Sequence, residues 1–107
     1  MTPARTLAGA GIAPVLAKLL AYDVWPPTRV AAMQCLACQV RNHAQSKNAA
    51  RMNGVIPLLV TILKKSRRPR ELNAAFDALG SLVEENRMNQ VRITNLCLQP
   101  LGQMRGD

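Results

Sequence analysis

The sequence predicts an all-α fold built from a repeated helical unit, and three observations predict it. Apolar residues make up 49% of the chain while aromatics make up only 3%, so its apolar content is almost entirely Ala, Leu, Val, Ile and Met. Such side chains pack helix against helix better than they build a sandwich of short strands. Pro14, Pro57 and Pro100 stand 43 residues apart in the same local settings, Gly11-Ile-Ala-Pro-Val-Leu16, Gly54-Val-Ile-Pro-Leu-Leu59 and Cys97-Leu-Gln-Pro-Leu101. Between them, apolar residues recur at the three-and-four spacing of a helix face. A period of this length describes a stack of similar units rather than one closed core.

The register is gapless. Laying residues 11–53 over 54–96 matches Gly11 with Gly54, Pro14 with Pro57, Leu16 with Leu59, Leu20 with Leu63, Pro26 with Pro69, Ala31 with Ala74, Ala32 with Ala75, Leu36 with Leu79 and Val40 with Val83. Conservative pairs, among them Met33 with Phe76 and Cys35 with Ala78, fill the intervals. The identities fall at apolar and helix-punctuating positions, which is what a repeated packing unit requires.

In chain order, the first unit begins with a short helix from Gly11 to Ala21, and Tyr22-Asp-Val-Trp-Pro-Pro27 forms the connection. A longer helix runs from Thr28, a good N-cap type, to Val40. A third helix spans Ser46 to Met52. In the second unit, Val55, Leu58, Leu59, Ile62 and Leu63 form one buried face of a helix ending near Lys64 or Lys65, with Pro57 in its first turn, where a missing N–H costs nothing. Ser66-Arg-Arg-Pro-Arg70 connects it to a helix from Glu71 to Glu84, whose apolar set includes Leu72, Ala75, Phe76, Leu79, Leu82 and Val83; Asn89 to Leu96 closes the unit. The register places Phe76 in the core with Met33, and Cys35 in the core with Ala78.

Asn53-Gly-Val-Ile-Pro-Leu-Leu-Val60, Asn73-Ala-Ala-Phe-Asp-Ala-Leu-Gly-Ser-Leu82 and Asn89-Gln-Val-Arg-Ile93 resemble, respectively, the second helix, the third helix and the start of the next first helix of an armadillo repeat. The resemblance covers about residues 8 to 101 and implies a right-handed α-solenoid of armadillo type with three helices per repeat. It divides the chain into a partial first helix (1–10), two repeats each carried through the following first helix (11–53 and 54–96), and the opening of a third (97–107). It further implies a protein–protein interaction scaffold or adaptor, a fragment of a longer armadillo-repeat protein.

Little in the chain suggests catalysis, a cofactor or a metal. Cys35-Leu-Ala-Cys38 has the spacing of half a zinc or redox site, but it lies inside a helix without a second cysteine pair, and His43 is the sole histidine. No Ser, Asp or Glu is arranged with His43 for nucleophilic work. Gly9-Ala-Gly11 lacks the strand and lysine of a phosphate loop. Three cysteines without a secretory signal read as reduced thiols, and no apolar run reaches the roughly 18 residues a membrane span needs. The reading is an intracellular protein, cytoplasmic rather than nuclear.

The net charge of +8 would favour acidic partners, but five of the 14 basic residues, Lys64, Lys65, Arg67, Arg68 and Arg70, lie within the seven residues from Lys64 to Arg70. That cluster reads either as a solvated loop or as a contact for phosphates, and a surface for nucleic acid or anionic membrane is the alternative function. It is disfavoured because stacking aromatics are nearly absent.

In the peptide-binding armadillo members the long helices line a groove and carry a Trp and an Asn one turn later. Those positions fall here on Gln34 and Asp77, and on Cys38 and Ser81, so the resemblance does not extend to main-chain clamping. The groove stripe predicted instead is Val30, Gln34, Cys38 and Arg41 on one repeat and Asn73, Asp77, Ser81 and Glu84 on the next. With Glu85 nearby, it suits a basic or polar segment of a protein partner. Self-association through uncapped ends is a further expectation.

Overall fold

The computed structural model describes residues 12–21 and 23–98. Among them every regular element is an α-helix: α1 (Ile12–Leu19), α2 (Pro26–Val40), α3 (Ala44–Met52), α4 (Val55–Lys65), α5 (Pro69–Val83) and α6 (Arg87–Cys97). The expected partial helix at 1–10 and the third-unit residues beyond Leu98 lie outside this range. No described helix is long and apolar enough to cross a membrane.

The 43-residue period of the sequence reappears in the backbone. Arg41 (φ −60°, ψ 123°) and Glu84 (φ −61°, ψ 119°) each end a long helix, and Asn42 (φ 59°) and Glu85 (φ 53°) follow in the left-handed region. His43 N–H then donates to Val40 O, and Asn86 N–H to Val83 O, both at 3.1 Å. These are the torsions and hydrogen bond of a type II turn. Each turn delivers a side-chain cap: His43 Nδ1 accepts from Ser46 N at 3.1 Å, and Asn86 Oδ1 from Asn89 N at 3.0 Å. So α3 and α6 begin two residues before the expected starts at Ser46 and Asn89, which are the residues that the caps hold.

The long helices also begin early. Pro26 and Pro69 occupy first-turn positions, where a fixed φ and no N–H suit a helix start, so α2 begins before Thr28 and α5 before Glu71. Thr28 is therefore no cap; its N–H donates to Trp25 O at 3.0 Å, inside the first turn.

Equivalent helices stack on one another: α4 on α1, α5 along α2, and α6 on α3. Arg29 meets Glu71 near the two N-terminal ends, and Arg41 meets Asp77 further along, so α2 and α5 run in the same direction. The core is aliphatic. From α4 it takes Val55, Ile56, Leu59, Val60 and Ile62, from α2 Met33 and Leu36, and from α5 Ala75, Ala78 and Leu82, with alanines letting α2 and α5 approach closely.

Two core expectations fail. Met33 is 0% exposed, but its register partner Phe76 is 63% exposed; Ala78 is buried, but its partner Cys35 is exposed. The cause is neighbourhood. Each long helix packs on two short helices of its own unit, but only α2 has α5 on its following side, and only α5 has α2 on its preceding side. Met33 and Ala37 are buried, whereas Phe76 and Gly80, one unit on, are open. Ala74, Ala78 and Ser81 are buried, whereas Ala31, Cys35 and Cys38, one unit back, are open. The buried arc of α5 is thus turned by roughly 100°, one residue, relative to that of α2.

Candidate functional site

The same rotation decides which predicted groove residues share a surface. The faces left exposed on both long helices are Pro27, Gln34 and Arg41 on α2 and, at the same register positions, Arg70, Asp77 and Glu84 on α5. Of the predicted stripe, Gln34, Arg41, Asn73, Asp77 and Glu84 are exposed, and Val30 is half-buried toward α5. Ser81 leaves the set: it is buried where α5 packs on α2. Cys38 is exposed, one turn after Gln34.

The stripe is electrically divided along its length. Arg41 Nη2 lies 3.9 Å from Asp77 Oδ2 with both side chains mostly exposed, so these charges screen each other at the centre. Glu84 and Glu85 sit at the C-terminal end of α5, where the helix dipole is also negative. The N-terminal ends of α2 and α5 lie side by side and carry Arg68 and Arg70 where the dipoles are positive.

Between those N-terminal ends opens a cleft of about 640 Å³. Trp25, Pro26, Pro27 and Val30 form its apolar wall, and Arg68, Pro69 and Arg70 face them from α5 and its approach. Trp25 is 70% exposed. As the residue preceding two prolines it is held extended, at φ −54° and ψ 130°, at the cap position of α2 without capping it. The register pairs Trp25 with Arg68, the cap position of α5. An aromatic aligned with an arginine, at a cap that needs neither, is the one signal in the sequence that Trp25 stands in solvent.

Glu71, which also lines the cleft, belongs to a buried ion pair. Arg29 Nε donates to Glu71 Oε2, and Arg29 Nη1 to Val24 O. The other carboxylate oxygen accepts from Ser66 Oγ at 2.6 Å, and Ser66 Oγ in turn accepts from Arg68 N at 3.2 Å. Burial alone pushes the Glu71 carboxyl up, but the hydrogen bonds from Arg29 and Ser66, together with the charges of Arg29 and Arg68, outweigh it and hold the group below its ordinary value. This network ties the connection before α5 to α2, so the arginines above it are presented from a fixed backbone.

The basic cluster is not a single loop. Lys64 and Lys65 belong to the last turn of α4, where Lys64 Nζ donates to Leu96 O at 3.1 Å, and Arg70 lies in the first turn of α5. Only Arg67 and Arg68 remain in the connection, and Arg68 and Arg70 turn to the cleft. The structure therefore joins two groove residues, Val30 and Gln34, with two members of the basic cluster around a tryptophan that belongs to neither predicted set. Compared with known proteins, this chain matches no family model, and no curated protein or solved structure matches it either.

Proposed function

We propose that this chain is a non-catalytic protein-interaction module of armadillo-type solenoid architecture, holding a segment of a partner protein along the exposed stripe of α2 and α5, with its anchor in the Trp25 cleft. The observation that carries the reading is Trp25, a large apolar ring kept in solvent against Pro27 and Val30 and faced by Arg68 and Arg70. Rigid exposed aromatics beside arginines are the residues on which interface energy concentrates. The charge division supports a polarity for the guest: an apolar side chain flanked by carboxylates at the cleft, and basic residues toward Glu84 and Glu85.

A second reading is favoured by the same cleft. A nucleobase could stack on Trp25 with its phosphates on Arg68 and Arg70, which is how single strands are held without sequence preference. Calorimetry with a synthetic peptide carrying a leucine between glutamates, a lysine-rich counterpart and an oligothymidine distinguishes them. The protein reading expects the acidic peptide to bind best and both Trp25→Ala and Arg70→Glu to weaken it at least about tenfold, as losses at anchor residues do. Oligothymidine binding with a steep loss on added salt, and no peptide binding, overturns that reading in favour of the second.

A further inference from the structure

We infer that the open side of α5 is a docking face for the open side of α2 of a second copy of this chain, so that copies add head to tail. The argument starts from the junction already inside the molecule. There α2 packs along α5, and Met33, Ala37 and Val40 of α2 are buried, as are Ala74, Ala78 and Ser81 of α5, a large, a small and a medium side chain on one helix and a row of small ones on the other. One unit on, the following side of α5 presents Phe76, Gly80 and Val83, and one unit back, the preceding side of α2 presents Ala31, Cys35 and Cys38. The pattern is kept on both sides. Phe76 is larger than Met33 and Gly80 smaller than Ala37, so the exchange is close to volume-conserving across the ridge.

Both halves lie open on one molecule. Phe76 and Gly80 are exposed, as are Ala31, Cys35 and Cys38, and so is Val91 of α6. A junction between copies would enclose no unpaired charge. Where Arg29 and Glu71 pair inside the chain, the register places Leu72 against Thr28, and where Arg41 meets Asp77 it places Glu84 against Gln34. Because the two faces differ, the contact is heterologous, and nothing in it closes the assembly at two copies.

Sedimentation equilibrium of the whole chain under reducing conditions tests this, with two variants that each remove one face: Phe76→Glu and Cys35→Glu. Both positions are exposed, so helix content by circular dichroism should be unchanged; Cys38→Glu replaces Cys35→Glu should the latter lose helicity. The wild-type average mass should rise with concentration without levelling at a dimer. Each variant alone should associate at least about tenfold more weakly, the scale of losing a central anchor. An equimolar mixture of the two should recover a one-to-one dimer that grows no further, because each variant keeps the face that the other lacks. A wild-type chain that stays monomeric overturns the inference and leaves the Phe76 face to another occupant. So does a dimer that survives in either variant, which marks an isologous contact, or a mixture that associates no better than its components.

Discussion

Glu71 shows how much one side chain can be asked to do. Its carboxylate is almost fully enclosed and survives as an anion because Arg29 and Ser66 donate to it. Removing it leaves the Arg29 guanidinium buried without its partner, so Glu71→Ala should cost about 3–5 kcal/mol in urea denaturation, while Arg29→Met with Glu71→Leu should recover most of the loss. The folded-state pKa lies below the ordinary value of 4.5, so the stabilisation is complete above that value and is lost as the pH falls through the folded-state value. Stability of the wild type should therefore decline below about pH 4.5 through this group, and the double substitution should flatten that part of the profile. Met33 and Phe76 make the second residue-scale case: Met33→Ala should cost about 2–5 kcal/mol, and Phe76→Ala no more than about 0.5 kcal/mol in dilute monomer. Apolar identity and register were legible at both positions. Burial was not, because it depends on which neighbour a helix has.

Among the elements, the connections hold more of the design than propensity does. The turn after each long helix places a residue with positive φ and then a cap, and both features fall 43 residues apart. Asn86→Ala should cost about 1 kcal/mol, as cap losses do. Asn89 should cost more. Its Nδ2 donates to Leu82 O at 2.8 Å and to Lys47 O at 3.3 Å, and its Oδ1 accepts from Arg51 at 3.1 Å, so Asn89→Leu removes all three bonds, at about 1–3 kcal/mol. Asn42 suits the left-handed position and Glu85 does not, so Glu85→Asn should raise the thermal midpoint by a free energy of about 0.5–1 kcal/mol. All six described helices were legible from periodicity. Four of their starts were not, because His43 and Asn86 are caps recognised by the N–H they accept, and because the prolines at 26 and 69 act as first residues rather than as parts of a connection.

At the scale of the molecule, the stack extends 42 × 29 × 23 Å with three helix pairs in register. The stripe was partly legible because helical spacing fixes which residues share a face, and the cleft was not, because it forms between two helix ends far apart in the chain. The one-residue rotation between the long helices has a consequence for what each position will tolerate. Positions 35 and 78 are the same place in the unit but opposite places in the molecule, and so are 33 and 76. A library of all single substitutions, sorted for folded protein at low concentration, should give two different profiles for what the alignment treats as one site. Charged residues should pass at 31, 35 and 38 and be rejected at 74, 78 and 81, while at 33 and 76 the order reverses. Averaging the two units into one consensus would erase that contrast.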